Sequence, residues 1–297
     1  MFKRIINLSL VCLLLACSKG EDSKTTPEET KPNPEPTEKY TFLENEVRPA
    51  SSLACFAGAY YRKVVSSKDT WIGISGEVTL PTIKFDEIRF NPAKPKQYLD
   101  NPSVYMGGSM DGQETDIGLT WEVIRHENGA VSEERVAFRP FLRRASHKSG
   151  QASLYVNAPA QKEYYWYPGE KVEMSVEVIS NGVLKLSIKG AGKSYETTFE
   201  AAGYTLTGVG EFKRVNAIDQ VSNEGKPAQY TEAVVSNSKW SYTNLIRRQK
   251  GERVVVPMHN GRMTSMLCPA TKHFSIEQNE EEAKVGAETI SISGKGF

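Results

Sequence analysis

The chain carries only four histidines and four cysteines in 297 residues. His126, His147, His259 and His273 are scattered, and no His-x-Glu-x-His or His-Glu-x-x-His run marks a metal site. We therefore expect no metal ligand set and no cofactor. Charge of one sign is also missing. A net charge of +1 gives no support for a nucleic-acid partner or for adhesion to an anionic membrane. No glycine-rich phosphate loop precedes a helix, and nothing local marks a base beside a Ser or Cys nucleophile. Convincing helical periodicity over a full helix length is absent too, which excludes an all-α or α/β chain.

The start of the chain is more informative. Lys3 and Arg4 precede an apolar stretch from Ile5 to Ala16. It is too short for a membrane span, which needs roughly 20 apolar residues, and has the size of a secretory signal core. Leu14-Leu15-Ala16-Cys17 resembles a lipobox, which implies cleavage before Cys17 and its lipidation. Cys17-Ser18-Lys19-Gly20-Glu21-Asp22 resembles the export signals of Bacteroidota surface lipoproteins. That resemblance implies an outer-membrane anchor, facing the cell exterior, with the membrane touched through the lipid only.

From Ser18 to Lys39 the chain is mostly Pro, Glu, Thr and Lys. Such a segment buries too little apolar surface to offset its ordering entropy, so a disordered tether is expected, with extended polyproline-type stretches. The expected organisation is a signal peptide over residues 1–16, a lipidated cysteine and tether over 17–39, and a single β-sandwich domain over 40–297. Cys12 leaves with the signal peptide and Cys17 takes lipid. Cys55 and Cys268 remain, either as one disulfide or as two buried thiols.

Strand signals fill the domain. Trp71–Leu80 is β-rich, and Ile83–Phe90 alternates apolar and charged residues. Thr115, Ile117, Leu119, Trp121 and Val123 share one face of a run whose other face holds Glu114, Asp116, Thr120 and Glu122. Val172, Met174, Val176 and Val178 alternate with charged or polar residues up to Asn181-Gly182, a two-residue turn signal, and Val183–Ile188 returns. Further runs lie at Arg135–Phe141, Gly210–Ile218, Tyr230–Val235 and Arg253–Pro257. This pattern gives an all-β fold, two packed antiparallel sheets.

Tyr167-Pro168-Gly169-Glu170 and the hairpin after it resemble concanavalin A-like lectin and glucanase domains, as do Gly107-Gly108 and the run Glu114–Trp121. The resemblance implies a jelly-roll sandwich and points to carbohydrate. Laminarinase-type enzymes of that fold place carboxylates at alternate strand positions, because side chains at i and i+2 share a face roughly 7 Å apart. A retaining pair needs about 5–5.5 Å. Glu114 and Asp116 fit this register, but the third position falls on Gly118 or Leu119, and Glu122 lies roughly 26 Å from Glu114 along an extended strand. No catalytic residue is therefore assigned.

Aromatic residues beside polar ones suit sugars, which present apolar faces and polar rims. Glu114, Asp116, Asn216 and Trp240 are the candidate contacts. In Glu211–Gln220, Lys213 and Asp219 share one face while Arg214, Asn216 and Gln220 share the other. The expected function is a surface-anchored, non-catalytic carbohydrate-binding sandwich. The alternatives are a glycoside hydrolase or polysaccharide lyase, and an adhesion or envelope lipoprotein with a protein partner.

Overall fold

The computed structural model describes residues 40–91, 97–121 and 137–297. The expected signal peptide, Cys17, the expected tether, Glu122, Val123 and His126 lie outside the described residues. β-Branched and aromatic residues in alternation give strands almost throughout. The unit opens with β1 (Ala59–Ser66), β2 (Trp71–Thr79) and β3 (Thr82–Lys84). Then come β4 (Asp100–Met110), β5 (Gln113–Trp121), β6 (Phe138–Arg144) and β7 (Leu154–Asn157). β8 (Lys171–Ser180), β9 (Val183–Gly190) and β10 (Lys193–Glu200) follow as consecutive hairpins, then β11 (Gly210–Gln220) and β12 (Val234–Gln249). β13 (Glu252–Pro257), β14 (Met263–Cys268), β15 (Phe274–Glu277), α1 (Glu280–Val285) and β16 (Glu288–Ser293) complete the chain.

These strands make two antiparallel sheets, an all-β sandwich of jelly-roll type. One seven-stranded sheet runs β14-β1-β11-β4-β5-β6-β7. The second runs β10-β9-β8-β2-β12-β16-β15, with β3 and β13 also paired to β12. Residues 40–297 belong to one structural unit.

Alternation explains the core. On β8, Val172, Met174, Val176 and Val178 are buried, whereas Lys171 and Glu173 face out. They meet Ile117 and Leu119 of β5 and Phe212 of β11 within one apolar cluster that holds Trp71, Trp166 and Trp240. Each fully buried side chain of this size contributes about 1.5–3 kcal/mol relative to exposure.

Two expected strands are shorter than their alternation suggests. Ile83–Phe90 keeps a strand only over Thr82–Lys84. Asp86 then accepts from the Ile88 amide at 3.3 Å and its carbonyl from the Arg89 amide at 3.1 Å, which turns the chain. Tyr230–Val235 becomes strand only from Val234. The Thr231 hydroxyl is engaged with Asp100 at 2.6 Å and with the Ala233 amide at 3.0 Å, a local bonding pattern that competes with the ladder.

The short helix α1 is defined by its caps. Asn279 accepts from the Glu282 amide while the Glu282 carboxylate accepts from the Asn279 amide, a capping box. Gly286 ends it in the left-handed region, with φ 67°. A Cβ there would also lie 2.5 Å from the Met258 carbonyl oxygen, so glycine is required twice over.

The outer face of the seven-stranded sheet carries its own apolar cluster, including Tyr61, Val65, Tyr105, Phe141, Val215 and Met266. The segment before β1 is fastened beside it. Cys55 is disulfide-bonded to Cys268 of β14, Phe56 stacks on Tyr61 with centroids 4.3 Å apart, and the Phe56 amide donates to the Tyr61 hydroxyl at 2.8 Å.

Candidate functional site

On that outer face three strands set one ion-pair cluster in register. Lys213 on β11 lies opposite Gly107 on β4, and Gly107 lies opposite Asp116 on β5. Gly107 has no side chain, so Lys213 Nζ reaches Asp116 Oδ1 across it at 2.7 Å. Lys213 also pairs with Glu114. Arg143 on β6 lies opposite Asp116 and binds its other oxygen at 2.6 Å. Burial would raise the Asp116 carboxyl, but the Lys213 and Arg143 charges outweigh it and hold the group below the usual carboxylate range. Asp116 is thus an ionised, rigidly oriented acceptor.

Asp219 shares the face and behaves oppositely. Burial pushes its carboxyl up to about 6, the Ser103 hydroxyl opposes this by donating to it at 2.5 Å, and the Asp116 charge adds to the rise. The Tyr105 phenol is pushed well above its ordinary value, first by burial and then by these two carboxylates.

These groups line a cleft of about 250 Å3. One wall is the Phe56–Ala59 segment; the floor includes Tyr105, Asp116 and Thr120; Phe141, Arg143 and Tyr155 complete the other side. Phe141 and Tyr155 stack with centroids 5.9 Å apart and planes 22° apart, and Tyr155 is 51% exposed. Aromatic faces therefore stand beside a fixed carboxylate–guanidinium pair.

The expected contacts divide sharply. Asp116 lines the cleft, and Glu114 sits on the same face, bound to Lys213. Asn216 and Trp240 are corrected: both are buried in the interior and are not in the cleft. The Trp240 indole donates to Asn216 Oδ1 at 2.8 Å, and Asn216 Nδ2 donates to Ser238 at 2.6 Å, so their polar groups satisfy one another. At Gly118, where the laminarinase-type pattern has a carboxylate, an added Cβ would lie 2.7 Å from the Tyr105 Cβ. There is no space for an acid at that position.

Asp219, Phe141 and Tyr155 were not among the candidate contacts, whereas Tyr105 is one of the aromatic residues the sequence offers for binding and Arg143 belongs to the basic run Arg139–Lys148 that would suit an acidic glycan. A signal for Asp219 existed, since it shares the Lys213 face of its strand. Among the described residues, no group of three or more His, Cys, Asp or Glu side chains is arranged to hold a metal ion.

No protein-family model and no curated protein matches the chain. Among solved structures, scytalido-glutamic peptidase with a transition state analog inhibitor aligns with TM-score 0.48 and 9% identity, covering 80% of this chain and 100% of that one. The alginate lyase from Klebsiella pneumoniae gives TM-score 0.38 and 10% identity over 60% of each chain. A Bacteroides ovatus mixed-linkage glucan GH16 protein gives TM-score 0.32 and 13% identity, over 60% of this chain and 76% of that one. At these scores the likenesses carry no argument about what this chain does. The strand pairing itself carries the fold.

Proposed function

We propose that the 40–297 unit is a non-catalytic carbohydrate-binding module, held at the cell surface by lipid on Cys17. The observation that carries this reading is the Phe141–Tyr155 stack beside the Arg143–Asp116 pair in one cleft. A sugar ring needs an apolar platform for its C–H face and oriented polar groups for its hydroxyls. Asp116 accepts, Arg143 donates, and Asp219 donates when protonated. Asp116 is poorly suited to attack or proton abstraction, because two cations already hold its oxygens.

A glycan-array screen of residues 40–297, followed by calorimetry on any hit with Asp116→Ala and Tyr155→Ala, tests the reading. Binding that both substitutions weaken, without product, supports it. Absence of any glycan ligand, or binding indifferent to both, rejects the site.

One observation favours a second reading, a glycan-degrading enzyme. Asp116 is ionised while Asp219 is poised near pH 6, and carboxyls whose pKa values are driven apart are the usual basis of acid–base division. Release of reducing ends or unsaturated sugars, abolished by Asp219→Asn, would establish it over the binding module.

A further inference from the structure

On the opposite, inner face of the seven-stranded sheet, two guanidinium groups share one carboxylate in the interior. Arg62 on β1, Arg214 on β11 and Glu288 on β16 are 5%, 2% and 1% exposed. Arg62 Nε and Nη2 donate to Glu288 at 3.0 and 2.8 Å, and Arg214 Nη2 donates to Glu288 Oε1. Arg214 Nη1 donates both its hydrogens, to Thr243 Oγ1 and to the Gly286 carbonyl, each at 3.0 Å. Arg62 Nη1 donates to Ser265 Oγ at 2.5 Å.

The cluster is unbalanced in charge. Two cations face one anion, and uncompensated charge in a dry interior is costly. Burial pushes the Arg214 guanidinium down to about 10, Glu288 opposes that, and Arg62 adds to it. The donors are unbalanced as well. A guanidinium has five N–H groups. Among the described residues, the bonds of Arg62 use three, which leaves one N–H on Nη1 and one on Nη2.

Arg62 borders a pocket of about 280 Å3, formed where β14 and β15, the outermost strands at one end of each sheet, come into reach of β1 and β16. Met263, Leu267 and Ile276 supply an apolar lining. At a share of about 30 Å3 per water, the space admits a molecule of several non-hydrogen atoms. We propose that this pocket binds a small monocarboxylate with a short alkyl chain, its carboxylate on the two remaining Arg62 N–H groups and its chain against Met263, Leu267 and Ile276. The bound anion brings the cluster to two positive and two negative charges. The pocket is separate from the outer-face cleft and does not depend on the carbohydrate reading.

The test uses residues 17–297 carrying Cys17→Ser, with acetate, butyrate and hexanoate near neutral pH, and with hexanol and chloride as controls. Thermal unfolding and calorimetry should show binding that strengthens at least tenfold from acetate to hexanoate, with no response to hexanol or chloride. Ile276→Trp, which narrows the pocket from its apolar side and leaves Arg62 and Glu288 in place, should weaken hexanoate at least tenfold. Arg62→Met should abolish the response if it folds. Asp116→Ala, in the cleft, should leave it unchanged. A response of equal size to chloride, no response to any carboxylate, or full hexanoate binding in Ile276→Trp would overturn the proposal.

Discussion

Lys213 and Asp116 meet at 2.7 Å across Gly107, two strands apart, because the strand between them has no side chain at that point. The same glycine has no spare volume: an added Cβ would lie 2.0 Å from the Thr115 carbonyl oxygen. Gly107→Ala should therefore force β4 away from β5 and lower stability by about 2–3 kcal/mol, the usual scale of overpacking. Urea unfolding measures this. An unchanged midpoint would mean that the strands yield freely there and that the glycine does not govern the ion pair.

Asp219 gives a prediction with a definite sign. Its folded-state carboxyl titrates at about 6, above the ordinary 3.8. The folded chain thus binds more protons than the unfolded one between those values. The contribution of this group to stability is fully present below 3.8 and is lost as pH rises through about 6. Asp219→Asn cannot ionise and escapes that loss. It should be more stable than the parent by about 1–2 kcal/mol at about pH 8, discounted for the group's partial exposure, and equal to it near pH 3.5. Denaturant midpoints at the two pH values decide the matter; a variant less stable at the higher pH contradicts the burial argument.

Tyr155 separates binding from folding. It is 51% exposed and stacks on Phe141 at the rim of the cleft. Tyr155→Ala should change stability by no more than about 0.5 kcal/mol. Loss of a stacking platform should weaken glycan binding about tenfold, equivalent to about 1.4 kcal/mol. Calorimetry with the array hit reads the second number. Undiminished affinity would move the sugar platform elsewhere.

The Cys55–Cys268 bond has both structural and functional consequences. It closes a loop of 213 residues in sequence separation and holds the segment that forms one cleft wall. Replacing both cysteines by Ser should cost about 2–5 kcal/mol, mostly through the greater freedom of the unfolded chain. Glycan affinity should fall as well, because Phe56 loses the anchor next to it. Thermal melts and calorimetry on the double variant test the two parts separately. An affinity loss without any fall in stability would be inconsistent with this account.

The legible parts of the sequence were those fixed by neighbours in the chain. The alternation of Val172 to Val178, the Asn181-Gly182 turn and the return through Leu184 place β8 and β9 without any long-range knowledge. So does the shared face of Glu114 and Asp116. β11 was harder to read, because both of its faces are polar. Its inward residues are polar because each finds a distant partner: Asn216 bonds a residue 24 positions away, Arg214 one 74 away, and Gln220 one 120 away. Without those partners, inward polar residues and groove-lining ones look the same. Asp219 escaped notice as a site residue for a similar reason, since its raised pKa depends on burial and on Asp116, six strands distant in chain order but only two across the sheet.

Asn216 and Trp240 provide the clearest test of that distinction. In the interior, Asn216 accepts from the Trp240 indole and donates to Ser238. Asn216→Ala leaves the indole N–H and the Ser238 hydroxyl without these partners and opens a small void, away from water. Each stranded buried group costs about 1–3 kcal/mol, so a loss of about 2–4 kcal/mol is expected. A residue that contacted glycan from the surface would behave differently: Asn216→Ala would then weaken binding and leave stability nearly unchanged. Unfolding curves and glycan titrations on this one variant separate the cases. Loss of stability with affinity intact, measured at a temperature where the variant is fully folded, is the expected result. Loss of affinity with stability intact would return Asn216 to the binding site and take the Trp240 bond out of the account.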